Sequence, residues 1–116
     1  MEPYNEYREE YEAQFLSAFA SVRERSGVYL ERPSLEKLSD FMFGYAVAMY
    51  RLTGYRVTFE QKFKRFLFEK YHISAFPRSM CAFLTQGKSE EEGFAAFYQE
   101  LDDFCGTTGY PKDRNK

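Results

Sequence analysis

One histidine, His72, and two cysteines, Cys81 and Cys105, are the whole supply of imidazole and thiol in these 116 residues. A cysteine nucleophile needs an imidazole within hydrogen-bond reach and a third group that orients the base. His72 and Cys81 stand nine positions apart, and no Asn or Asp nearby is placed to orient the ring. A zinc site needs Cys and His at short, regular spacings, which three such residues do not supply. Glu69-x-x-His72 matches half of the motif by which helical bundles hold two metal ions, but a second copy would need a second histidine. The glycines are isolated, so no phosphate-cradling loop is present. These residues therefore predict no catalytic group, no metal and no cofactor.

Charge offers surface chemistry instead. Lys62, Lys64, Arg65 and Lys70 are interleaved with Glu60 and Glu69, and the net charge is −2. That pattern reads as a solvated helix face and argues against nucleic acid, whose phosphates demand concentrated cations. Acidic residues cluster at Glu90 to Glu92 and Asp102–Asp103, with Glu9, Glu10 and Glu12 near the start. Clustered carboxylates steer and clamp a basic partner, and aromatic side chains anchor such contacts. Glu91 and Asp102 are the candidate steering charges; Tyr98 and Phe68 are the candidate anchors.

The elements that would carry these residues are helices. Tyr7, Tyr11, Phe15, Ala18, Phe19 and Val22 recur at helical steps between about Asn5 and Arg25. Glu9, Glu10, Glu12 and Arg23 are placed off that stripe. A second helix is expected from Pro33 to about Thr53. Beyond Phe41 its apolar residues point in nearly every direction, which predicts burial on all sides, with Gly44, Ala46 and Ala48 admitting a close neighbour. A third runs from about Phe59 to His72, opened by a capping box of Thr58 and Gln61. A short helix is expected from about Arg78 to Thr85. The last starts at Ser89, whose box partner is Glu92, and carries Phe94, Phe97, Tyr98, Leu101, Phe104 and Cys105 on one stripe. Gly27, Gly54, Gly87 and Gly106 are expected C-caps, and a polar tail is expected to fray from about residue 107.

The expected fold is thus all-α, one domain over residues 1–116, with four main helices and one short one. Thirteen Phe and ten Tyr supply its core, and a chain of this size buries roughly two-thirds of its unfolded surface. About ten consecutive residues without charge are too few to span a bilayer, which takes roughly twenty. The acidic opening MEPYNEYREEYE lacks the apolar stretch of a signal peptide. Together with two thiols in apolar surroundings, this predicts a cytoplasmic protein without a disulfide.

The stretch Arg23–Leu52 resembles a pattern in small bacterial proteins: a turn, then a helix reading Leu-x-x-Leu-x-x-Phe-x-x-Gly-Tyr-x-x-Ala. The matching residues are Arg25, Val28, Tyr29, Leu30, Leu35, Leu38, Phe41, Gly44, Tyr45 and Ala48. Ser26–Gly27 stands where that pattern has Pro-Gly, and Val28 where it has Met. Such proteins look like the immunity proteins of toxin–immunity pairs. The resemblance implies a non-catalytic protein whose partner is a toxin domain; it covers core and turn positions and assigns no functional residue. The sequence leaves two other readings open: a homo-oligomeric helical protein with a structural or regulatory role, a homodimer included, and a small-molecule carrier or enzyme with a pocket in its aromatic core.

Overall fold

The computed structural model describes residues 6–112. It contains six helices: α1 (Glu9–Glu24), α2 (Ser26–Leu30), α3 (Leu35–Thr53), α4 (Phe59–Tyr71), α5 (Met80–Thr85) and α6 (Glu90–Thr108). The four main helices of the sequence reading are α1, α3, α4 and α6, and two short helices accompany them where one was expected. The expected start of the first helix near Asn5, like the last four residues of the tail, lies outside the described residues.

Each long helix contributes an apolar stripe to one shared core. Phe59, the first residue of α4, sits near its centre. Its ring lies 5.0 Å from Phe19, 5.1 Å from Phe63, 5.7 Å from Phe104 and 5.5 Å from Tyr110. Offset and edge-on ring pairs at such distances add to the gain from burial alone. Phe63, Leu67, Phe97 and Phe104 complete the interior with almost no exposure.

Local signals fix the helix ends. Ser89 accepts from the backbone N–H of Glu92, and the Glu92 side chain accepts from the Ser89 N–H, forming the capping box read from the sequence. The helix expected from Pro33 starts at Leu35, and Ser34 caps it by accepting from the backbone N–H of Lys37. Thr58 occupies the N-cap position of α4 but makes no cap bond: its backbone is not extended (φ −102°, ψ 4°), unlike a capping residue's, and its hydroxyl is turned to donate to Glu12 in α1. Gly54 and Gly109 close α3 and α6 with positive φ, whereas Gly27 and Gly106 lie inside α2 and α6.

Two larger expectations are corrected as well. The chain does not fray from residue 107: α6 continues to Thr108, and Tyr110 is 5% exposed, packed on Phe59 and Phe104. Nor is α3 buried on all sides. Leu35, Leu38, Met42 and Met49 face the core, while Phe43 is 72% exposed and Val47, Tyr50 and Leu52 also face out. Its neighbours α1, α2, α5 and α6 all lie towards the core side, and a Cβ built on Gly44 meets open space. Among the described residues no helix is long and apolar enough to cross a membrane.

Candidate functional site: the outer face of the third helix

The four residues singled out for partner binding do not form one site. Tyr98 is 2% exposed, and its hydroxyl donates to the carbonyl of Phe19 at 2.7 Å. It is a core residue, so the reading of Tyr98 as a surface anchor is corrected. Burial also pushes its hydroxyl pKa well up. Phe68 is half-buried and finds its contact inside the molecule, 4.9 Å from the ring of Phe76 in the α4–α5 connection. Asp102 is exposed but takes a two-pronged grip from Arg23 of α1, at 2.9 and 3.0 Å. Glu91 is exposed, without an ion pair or cap bond among the described residues. Its neighbours are engaged: Glu90 accepts from Arg32 and Glu92 belongs to the capping box.

Much of the remaining charge is likewise tied down. Lys70 donates to Glu100 and Asp103, each at 2.8 Å, and Tyr71 donates to the other oxygen of Glu100. These bonds raise the Lys70 pKa and hold Asp103 below the usual carboxylate range. Lys62 lies 5.0 Å from the Tyr7 ring. Glu12, counted from sequence among surface acids, is fully buried. It accepts from the hydroxyls of Tyr55 (2.6 Å), Tyr110 (2.5 Å) and Thr58 (3.1 Å) and from the Thr58 N–H (2.8 Å). Among the described residues every buried side-chain nitrogen or oxygen has a hydrogen-bond partner. Burial pushes the thiols of Cys81 and Cys105 up, away from a reactive thiolate.

The fold also leaves an apolar face uncommitted. Glu36, Asp40, Phe43, Val47 and Tyr50 follow one another along α3 at alternating four- and three-residue steps. That is the spacing of a coiled-coil seam, and all five are exposed. Phe43, Val47 and Tyr50 form its apolar centre, with Gly44 exposed beside them. Asp40 and Arg51 bracket that centre, and neither makes an ion pair among the described residues. Arg56 stacks 4.3 Å over the Tyr50 ring and adds a second cation at the C-terminal end. Next to Phe43 an apolar cleft of about 270 Å³ descends past Ala46 and Met42 to Phe15 and Phe97. It is slightly smaller than the roughly 300–1,000 Å³ of sites that enclose drug-sized ligands.

The sequence carries this signal in an ambiguous form. An all-apolar stretch describes a helix buried in its own domain and a helix with one face left for a partner equally well. Only the placement of the neighbouring helices separates the two. Comparison with protein-family models, curated proteins and solved structures finds no match to the chain.

Proposed function

We propose that this chain is a non-catalytic protein-binding module that works through the outer face of α3, and that its role is that of a bacterial immunity protein neutralising a toxin domain. The observation that carries the binding reading is the exposed seam of Phe43, Val47 and Tyr50. A small domain gains nothing by itself from keeping a phenylalanine 72% exposed beside two more apolar side chains, and such patches mark surfaces that meet another protein. The non-catalytic reading is supported by the engagement of the buried polar groups: Glu12, Glu100, Tyr55, Tyr98 and Tyr110 are each held in bonds within the fold. The toxin as partner is supported by the sequence resemblance over Arg23–Leu52, which includes most of α3.

Co-expression with the product of the adjacent gene tests this reading. The chain is expected to restore growth and to copurify with that product, and Val47→Arg is expected to lose both while keeping its helical circular dichroism. No complex and no protection, with the neighbour shown to be toxic, would remove the toxin reading.

A further inference from the structure

The seam on α3 is complementary to itself when reversed. Its N-terminal end carries Glu36 and Asp40, its centre is Phe43 and Val47, and its C-terminal end carries Arg51 together with Arg56. Read backwards, the order of negative, apolar and positive becomes positive, apolar and negative. We infer that this face binds a second copy of the chain, with the two α3 helices antiparallel about a two-fold axis. The inference rests on the reading of the seam as a protein-binding face and assigns its occupant; the toxin then meets a two-fold pair that forms only through this face, so that Val47→Arg removes the pair and, with it, capture of the toxin.

The geometry follows from helix spacing. An axis crossing α3 midway between Phe43 and Val47 sets Phe43 against the partner's Val47. It also brings Asp40 alongside the partner's Tyr50 and the partner's Arg51. An isologous contact repeats each pair, so every contact occurs twice. Gly44 has no side chain and opens onto free space, which lets the axes approach to the roughly 8–10 Å of packed helices. The parallel alternative would place Asp40 against the partner's Asp40 and Arg51 against the partner's Arg51. Like charges at such positions oppose pairing. Antiparallel helices also set each macrodipole end against its opposite.

An interface centred on one helix per copy is expected to bury less than the roughly 800 Å² per partner of standard stable interfaces. Self-association is therefore expected to depend on concentration. Sedimentation velocity on the full chain, from about 1 to about 500 μM, tests it. The wild type is expected to shift from the mass of one chain to that of two. Asp40→Arg alone and Arg51→Asp alone should each weaken pairing by about tenfold or more, because each places like charges together twice. An equimolar mixture of the two variants should regain the pair. The arginine introduced in one chain then meets the aspartate introduced in the other, while the unchanged Arg51 and Asp40 form the native pair on the opposite side of the axis. Circular dichroism on each variant checks that the fold is kept. A wild type that stays monomeric across the range overturns the inference, and so does a dimer indifferent to both charge changes or a mixture that fails to recover. A monomeric wild type whose capture of the adjacent gene product is still lost on Val47→Arg would overturn the second copy as occupant and leave the proposed function standing. A monomer in which Val47→Arg changes nothing would remove both.

Discussion

The hydroxyl of Tyr110 donates to Oε1 of Glu12 at 2.5 Å, joining the end of the described chain to its first helix across 98 positions of sequence. The same carboxylate receives Tyr55 and Thr58 from the connection between α3 and α4. One buried acid thus gathers three separate parts of the chain. Its oxygens are satisfied by hydroxyls and a backbone N–H, with no cation among those donors. Removing it would leave several buried donors without an acceptor, and each such group costs about 1–3 kcal/mol. Glu12→Ala is therefore expected to lower stability by about 3 kcal/mol or more in urea unfolding. Tyr110→Phe deletes one donor to a carboxylate and should cost about 1.5–3 kcal/mol. A Glu12→Ala loss under about 1 kcal/mol would show that the network contributes little.

Alkaline pH should unfold this protein. Tyr55, Tyr98 and Tyr110 all have pKa values raised above the ordinary 10.0, with burial as the first cause in each case. A group whose folded-state pKa is raised contributes stability that is complete below its unfolded value and is lost as pH climbs past that value. Stability should begin to fall past pH 9.0, where the thiols of Cys81 and Cys105 titrate in the unfolded chain, and more steeply past pH 10.0, where these three hydroxyls contribute up to three protons to the slope and the raised Tyr71 and Lys70 add to it. Tyr98→Phe should reduce that slope by one proton while costing the bond to Phe19. Urea midpoints measured across the alkaline range give the slope directly, and a flat profile would contradict the burial of these hydroxyls.

Lys70 draws α4 onto α6 through Glu100, which is 9% exposed, and Asp103, which is open to solvent. The two acids should respond differently to change. Lys70→Met leaves the buried Glu100 with Tyr71 as its remaining donor and should cost about 2 kcal/mol in chemical denaturation. Asp103→Asn should scarcely alter stability at neutral pH, since exposed ion pairs contribute little. Asp103 is held below its usual 3.8 by Lys70, so its small contribution is present above that pH and fades as the pH falls through the lowered value. Comparing melts of both variants with the wild type at about pH 7 and about pH 3 separates the effects.

The sequence shows α1, α4 and α6 clearly because their signals are local: stripes at helical spacing and, for α6, a complete capping box. Glu12 was also within reach. It stands three residues before Phe15 and seven before Phe19, which places it on the buried stripe of α1 and not off it. Tyr110 follows the left-handed Gly109 and packs on Phe104, the apolar contact that often accompanies a glycine cap; reading Gly106 as the cap hid it. Thr58 had a cap signature, but its hydroxyl was claimed by an acid 46 positions away. No local pattern reports where that hydroxyl turns. The exposure of α3 is of the same kind, since it depends on where other helices pack. The burial of Tyr98 was different: its place on the α6 stripe already marked it as a core residue.

Gly44 and Gly93 should respond in opposite directions to the same change. Gly44 lies mid-helix in α3, with nothing within 4 Å of a built Cβ. Alanine there removes the backbone-entropy cost of glycine in a helix, so Gly44→Ala should stabilise the chain by about 0.5–1 kcal/mol. Gly93 lies in the first turns of α6, where α5 crosses closely. A Cβ on Gly93 would fall 2.5 Å from Cγ2 of Thr85 and 3.2 Å from its Cβ. Thr85 cannot turn aside freely, because its hydroxyl donates to the Cys81 carbonyl at 2.7 Å and its branched side chain has few open rotamers. The helices would have to separate, and overpacking of this kind typically costs about 1–3 kcal/mol. That outweighs the helix-propensity gain, so Gly93→Ala should destabilise. Thermal melts of the two single variants decide the matter at low protein concentration, where association at the α3 face does not contribute. If Gly44→Ala proved the more damaging of the two, the outer face of α3 would have to be covered within the monomer, and its role as a binding surface would fall with it.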